Sequence, residues 1–271
     1  MSTEKSRIRE VHDFWDEASC GENLYLISAD RIGYTAQAQR RYELEPFILD
    51  FARFEESHGL KVLEIGVGLG ADHQRFAEAG ADLYGIDLTE RAVSHTRQRL
   101  ACFGLHSTIE VGDAENLIFP AESFNLVYSW GVLHHSPDTS RTIREVWRVL
   151  KPGGQARVMI YHKWSIVGAM LWIRYGLLRL RPFTNLKILY ARYLESPGTK
   201  AYSVVEARQL FGDFPKVNIR IMLGHGDLLT SEAGQRHQGI ALNIARKVWP
   251  RGLIKRFLPG AGLFMLIEAE K

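Results

Sequence analysis

The chain is poor in cysteine: two in 271 residues, Cys20 and Cys102, lie 82 positions apart with no C-x-x-C spacing. That excludes a disulfide framework and a thiolate zinc site, and two reduced thiols are expected. Long apolar runs are missing as well. Uncharged, mostly apolar stretches are short, such as Trp164 to Ile173 with ten residues, and a membrane-spanning helix needs roughly 20. The first fifteen residues contain no apolar h-region, so no secretory signal is expected and a cytoplasmic location follows. Repeats and low-complexity tracts are absent. With 46% hydrophobic, 24% charged and 11% aromatic residues, disordered and collagen-like chains are excluded and the length suffices for a sizeable core.

What is present is an uneven distribution of charge. The net of +3 comes from 34 basic and 31 acidic residues, but residues 1–135 carry 12 basic and 22 acidic side chains, a net of −10. Residues 136–271 carry the remaining 22 basic and 9 acidic ones, a net of +13. Such asymmetry asks for a division of labour between the halves.

Hydrophobic period and punctuation predict an alternation of strands and helices from Leu60 onward. Lys61 to Ile65 reads as a strand closed by Gly66, followed by a helix from Ala71 to Ala79 that stops at Gly80. Ala81 to Ile86 is a second strand ending at Asp87, with Thr89 capping a helix that runs to about Phe103. Ser107 to Val111 and Phe124 to Ser129 read as further strands. Thr142 to Leu150 sets Ile143, Val146, Trp147 and Leu150 on one helical face, and Lys151-Pro-Gly-Gly154 then turns into a strand from Gln155 to Tyr161. Later, Val204 to Phe211 reads as a helix, and Lys216 to Leu223 and Gly262 to Ala269 as strands. This is the pattern of an α/β, doubly wound sheet, whose ligand crevice lies at the carboxyl ends of the parallel strands.

The residues at those ends carry the chemistry. Glu64-Ile-Gly66-Val-Gly68-Leu-Gly70-Ala71 is a glycine-rich strand-to-helix turn, where the backbone bends tightly and the helix start offers free N–H groups. Asp87 follows Gly66 by 21 positions, where an acid accepts hydrogen bonds from ribose hydroxyls. These two features suit a nicotinamide dinucleotide as well as S-adenosylmethionine. Further along come Val111-Gly-Asp113-Ala114-Glu115 and Phe124-Asn-Leu-Val-Tyr-Ser-Trp130-Gly-Val-Leu-His134-His135-Ser-Pro-Asp138.

With EIGVGLG, GIDLT and KPGG in this order, residues 60–162 resemble the class I S-adenosylmethionine-dependent methyltransferases, in particular the ubiquinone/menaquinone-type group. The resemblance implies a Rossmann-like sheet of seven strands with the last antiparallel. It also implies that S-adenosylmethionine is bound and leaves as S-adenosylhomocysteine. Gly66, Gly68 and Gly70 would then lie along the methionine and ribose, with Glu64 near the amino group and Asp87 on the ribose hydroxyls. Asp113 and the Ala114 backbone would face the adenine amino group, and Leu88 would pack on the ring. Trp130 or Tyr25 would face the sulfonium, an aromatic next to a cation. His135 is the candidate general base and His134 a lesser one, since imidazole titrates near neutrality; Tyr161, His162, His225 and His237 are weaker still. The position after the fourth strand lacks the Asn/Asp-Pro-Pro-aromatic motif of nucleic-acid amino methyltransferases, so no nucleic-acid partner is expected. The acids that hold magnesium in catechol-type enzymes are missing too, which implies a metal-free transfer to a small acceptor.

Residues 1–59 are expected to form a helical segment over the active site. The methyltransferase domain would span 60–271, with a helical cap inserted at about 163–203 and a basic helical insertion at about 231–260. Tyr25, Tyr34 and Tyr42 would be available to close the crevice. Residues 163–194 contain Lys163, Arg174, Arg179, Arg181, Lys187 and Arg192 and no acid, interleaved with apolar side chains. On one helix, Lys163, Arg174 and Arg181 would share a side. Residues 244–258 repeat the pattern, and both stretches suit peripheral membrane contact or a lid with solvated flanks. Two other readings stay open: a nicotinamide-dependent oxidoreductase and a non-catalytic protein that binds S-adenosylmethionine or a membrane surface.

Overall fold

A computed structural model describes residues 2–230 and 246–271; the expected candidate His237 and residues 231–245 of the basic insertion lie outside the described residues. Four helices come first: α1 (Ser2–Glu17), α2 (Glu22–Tyr25), α3 (Arg31–Leu44) and α4 (Phe47–Ala52). The alternating unit follows as β1 (Lys61–Ile65), α5 (Ala71–Glu78), β2 (Asp82–Asp87), α6 (Glu90–Phe103), β3 (Thr108–Val111), β4 (Phe124–Trp130), α7 (Thr139–Val149) and β5 (Leu150–Tyr161). The cap holds α8 (Ile166–Tyr175) and α9 (Leu186–Tyr193). The chain ends with α10 (Val204–Leu210), β6 (Lys216–Met222), α11 (His225–Leu228), α12 (Arg251–Phe257) and β7 (Phe264–Glu270).

One seven-stranded sheet runs in the order β3-β2-β1-β4-β5-β7-β6. Strands β1 to β5 pair in parallel, and β7 runs antiparallel to both β5 and β6. The doubly wound architecture and its antiparallel last strand are therefore as expected. Because neighbouring residues on a strand point to opposite faces, Leu63, Val127, Val158 and Ile267 build one core with α7 and α10. Val62, Leu126, Met159 and Leu266 build the other with Ile48 and Phe51 of α4 and Phe76 of α5. The N-terminal helices thus complete one face of the sheet.

Local details depart from the expected pattern in three places. Lys151 to Gly154 do not end α7 as a separate turn; they bulge within β5, whose register against β4 jumps from Phe124↔Leu150 to Leu126↔Gln155. Trp147 is not a core residue of α7. It lies at the rim with Lys271 Nζ 4.0 Å from its ring centroid, while Val149 takes the buried position. The basic cap is not one continuous helix either. α8 stops at Tyr175, so Lys163 precedes the helix and pairs with Glu206 at 3.3 Å, and Arg181 lies beyond its end. Both cysteines are free thiols.

Candidate active site

A cavity of about 490 Å³ opens at the carboxyl ends of β1, β2, β4 and β5, within the range typical of small-molecule sites. Its floor is the glycine turn. Gly66 has φ 85°, and a Cβ there would come within 2.1 Å of Val132 Cγ2, so any side chain would break the contact between the turn and the loop after β4. Gly68, at φ 52°, would aim a Cβ into open space. Asp87 ties this turn to the next helix: Oδ2 accepts from Gly68 N at 3.1 Å, and Oδ1 accepts from Thr89 N and Oγ1, each at 3.1 Å. Asp113 Oδ1 accepts from Glu115 N at 2.8 Å. Glu64, Gly66, Gly68, Gly70, Asp87, Leu88, Asp113 and Ala114 all line the cavity, so the structure brings these expected residues together.

Glu64 is buried at the end of β1, with Oε2 2.8 Å from His73 Nδ1. On the far side of the ring, His73 Nε2 stands 2.8 Å from Ser107 Oγ, which gives its own proton to the Leu83 carbonyl at 2.7 Å. Ser107 must therefore accept from Nε2–H. In the neutral ring this leaves Nδ1 bare, and the proton between Nδ1 and Glu64 then sits on the carboxyl. Burial acts in the same sense, raising the Glu64 pKa well above its ordinary range and lowering that of His73 to about 3.

Beyond the cradle, the cavity is also lined by the N-terminal helices and the cap. His135, just after β4, is buried and stands edge-on to Trp15 with ring centroids 5.4 Å apart. Its Nδ1 lies 2.8 Å from Ser196 Oγ and 3.1 Å from Thr199 Oγ1, and Thr199 gives its proton to the Ser196 carbonyl. Thr199 can therefore only accept from Nδ1–H, whereas the Ser196 hydroxyl can give or take its bond. Nε2 stands 3.4 Å from Glu195 Oε2, an ion-pair distance short of an aligned hydrogen bond. Tyr161 donates to the same oxygen at 2.7 Å. Burial pushes the Glu195 carboxyl up, but His135 and Tyr161 overcome it and hold the pKa below the usual range.

A second acid, half-buried like Glu195, lines the same cavity. Glu45 accepts from Trp130 Nε1 at 3.0 Å and lies 3.8 Å from Arg41 and 3.7 Å from His225. Burial raises its pKa to about 7, with Arg41 pulling the other way. Trp130 lines the cavity, with its ring between Phe51 and Phe264 and its N–H committed to Glu45.

The other expected aromatics separate. Tyr25 lines the cavity, whereas Tyr34 is buried with its hydroxyl 3.1 Å from His95 Nδ1, and Tyr42 donates to Asp72. Neither of those two faces the crevice, because each anchors α3 to the body of the fold. His162 is a packing residue, with Nδ1 3.1 Å from the Gly262 carbonyl. His134 is fully buried between the His135 and Tyr161 rings, at 4.3 and 4.1 Å, and neither ring nitrogen has a hydrogen-bond partner among the described residues. His134, His135 and Glu195 bring ligand atoms within 4.8 Å of one another, a set able to take a divalent ion.

Glu195 and Glu45 escaped the sequence reading. Glu195 had one signal, being the first acid after the acid-free run 163–194; Glu45 had none, since only the packing of α3 and α4 carries it to the cavity.

Comparison with known proteins agrees with this geometry. Residues 63–158 match a family described as a methyltransferase domain. Methyltransferase GfsG of Streptomyces halstedii is 28% identical over 166 residues, which cover 55% of this chain and 57% of that protein. A ubiquinone biosynthesis O-methyltransferase of Roseobacter denitrificans is 29% identical over 143 residues, 52% of this chain and 56% of its own length. The match thus spans little more than half the length of these curated relatives. Among solved structures, phosphoethanolamine N-methyltransferase 2 of Haemonchus contortus, in complex with phosphomonomethylethanolamine and S-adenosylhomocysteine, covers 96% of this chain and 60% of that one. The TM-score is 0.60 at 17% identity, which shows a shared fold. Residues 63–158 thus match a methyltransferase domain, and the motifs around them resemble the class I S-adenosylmethionine-dependent group. S-Adenosylmethionine is the cofactor of that class.

Proposed function

We propose that the protein transfers a methyl group from S-adenosylmethionine to a hydroxyl or similar group on a small lipophilic acceptor, by in-line displacement. The reading rests on one observation: the loop after β4 and the cap together hold His135 in the cavity wall with the Glu195 carboxylate 3.4 Å from Nε2. When bound, the cofactor supplies a methyl group on a sulfonium, whose carbon–sulfur electron pair leaves with sulfur. Support comes from the cradle, where Gly68 opens onto free space and Asp87, Leu88, Ala114 and Glu64 line one cavity; we assign Asp87 to ribose hydroxyls, Leu88 and Ala114 to the adenine, and the Glu64 oxygen that does not face His73 to the amino group. Asp113 is assigned to the adenine amino group, and Trp130 to the side of the cavity where the methyl group emerges. Residues 1–59 act as a cover over the 60–271 domain, with Val11, Trp15 and Tyr25 contributing to the cavity wall.

His135 Nε2 takes the acceptor's proton as the new bond forms, and Glu195 stabilises the resulting imidazolium. Trp15, Val167, Met170, Leu171, Leu194 and Phe264 give this lobe an apolar wall, which excludes water from the displacement and favours a lipophilic acceptor. No step in this scheme uses a metal ion.

The test is transfer of a labelled methyl group to a panel of hydrophobic hydroxyl and amine acceptors. His135→Ala is expected to lower turnover by about 10² to 10⁴, the usual scale of a general base, with unchanged affinity for S-adenosylhomocysteine. Undiminished turnover would leave alignment alone as the mechanism. Chelation is expected to leave the rate unchanged. Loss of activity on chelation, restored by a divalent ion, would instead assign His134, His135 and Glu195 to a metal. Tight binding of NADH with none of S-adenosylhomocysteine would favour the oxidoreductase reading, and cofactor binding with no acceptor turned over would favour a non-catalytic binder.

A further inference from the structure

Just past α8 the cap makes a short, tightly held projection. Leu177–Arg179 form one 3₁₀ turn, and Leu180 takes the left-handed conformation at φ 56°, which side chains larger than glycine adopt rarely. The turn is tied back to α8, since Arg181 N donates to the Gly176 carbonyl at 2.8 Å and Trp172 Nε1 donates to the Pro182 carbonyl at 2.9 Å. Its apolar side chains nevertheless stand in solvent: Leu178 is 73% exposed, Leu180 90% and Phe183 99%. Arg179 and Arg181, both exposed, are interleaved with them. A contiguous apolar tip of this kind marks a contact surface.

We propose that the turn Leu177–Phe183 docks the cap onto an anionic lipid bilayer. Charge complementarity selects this occupant. Residues 163–194 carry six basic side chains and no acid, so two copies meeting through this face would set arginine against arginine. A bilayer accepts the apolar tips at the acyl boundary while the guanidinium groups stay among anionic headgroups. The structure also links the tip to the cavity: Val167, Met170 and Leu171 of α8 line the acceptor lobe, and the turn continues directly from the end of that helix. An acceptor held in the bilayer would then enter beneath α8. This last step rests on the proposed methyl transfer, whereas the docking does not.

The experiment is vesicle flotation of the full chain, with phosphatidylcholine alone and with added phosphatidylglycerol, at low and high salt. Binding to the anionic vesicles, weakened by salt, is expected. Leu180→Asp with Phe183→Asp should weaken it roughly 100-fold, the scale of withdrawing two large apolar side chains from a membrane. Arg179→Glu with Arg181→Glu should cost about fivefold or more per residue. All four positions are exposed, so an unchanged melting temperature and unchanged S-adenosylhomocysteine affinity would confirm intact folding. A tryptophan at the tip, Phe183→Trp, should shift its emission to the blue on anionic vesicles and be quenched by brominated acyl chains. Three outcomes would overturn the proposal: no vesicle binding, binding indifferent to Leu180→Asp/Phe183→Asp, or a self-association that this pair abolishes and vesicles do not displace. Vesicle binding without cofactor binding would sink the methyltransferase reading and leave the docking standing.

Discussion

At the scale of single residues, the proton-accepting arrangement depends on hydroxyl direction. Thr199 spends its proton on the Ser196 carbonyl, so toward His135 it can only accept, which favours the ring proton on Nδ1 and, in the proposed mechanism, a bare Nε2. Glu195 then matters through its charge. Replacing it by glutamine removes the countercharge that the proposed imidazolium would meet as the proton moves. Glu195→Gln is therefore expected to reduce kcat about tenfold, with cofactor affinity unchanged. A residue that merely filled space would give the same kcat with glutamine, so kcat measured apart from KM is the measurement to make.

At the scale of elements, the helical cover is attached to the sheet domain through a buried carboxylate. Asp72 on α5 accepts from Arg41 at 3.0 and 2.6 Å, from Tyr42 at 3.0 Å and from Tyr128 on β4 at 2.9 Å. Burial pushes its pKa up, and Arg41 with these hydrogen bonds outweighs that and holds it below the usual value. The sign follows: with the folded pKa depressed, this stabilisation is fully present above the unfolded value of about 3.9 and is lost as pH falls through the folded one. Asp72→Asn is expected to cost about 3 kcal/mol by denaturant unfolding, near the lower end for a broken buried pair because Arg41 keeps Glu45 nearby.

The elements themselves were largely legible. Thr89 caps α6 by accepting from Ala92 N, and the strand ends at Gly66 and Asp87 carry the cradle, all from local signals. The acceptor lobe was not. His135 meets Glu195 across sixty positions and through an insertion, and Glu45 arrives on a helix whose pattern carries no chemical mark. The basic cap was legible as charge but not as shape, because a turn after Tyr175 replaces the expected helix.

At the scale of the whole molecule, the cavity joins three parts of the chain: the N-terminal helices, the sheet and the cap. A ligand filling it should therefore stabilise the assembly as one unit. S-Adenosylhomocysteine at roughly 100 times its Kd should add about 2.7 kcal/mol. For a chain of this size that raises the melting temperature by about 5 to 10 °C; a thermal scan with NADH as control checks it, and no shift would mean that the cradle is misassigned. The division of charge also gains content. The −10 half contains the cradle acids Glu64, Asp87 and Asp113, while the +13 half contains the acid-free cap.

The bond from Tyr161 to Glu195 has a consequence for descent. Tyr161 closes a strand of the shared sheet, whereas Glu195 belongs to the insertion that shapes the acceptor lobe. Exchanging this cap for another would alter more than which molecule enters, since the incoming segment must also bring a carboxylate to the imidazole. If the proposed mechanism holds, selectivity and proton handling are thereby bound to the same forty or so residues, and a lineage that uses it cannot vary one freely while conserving the other.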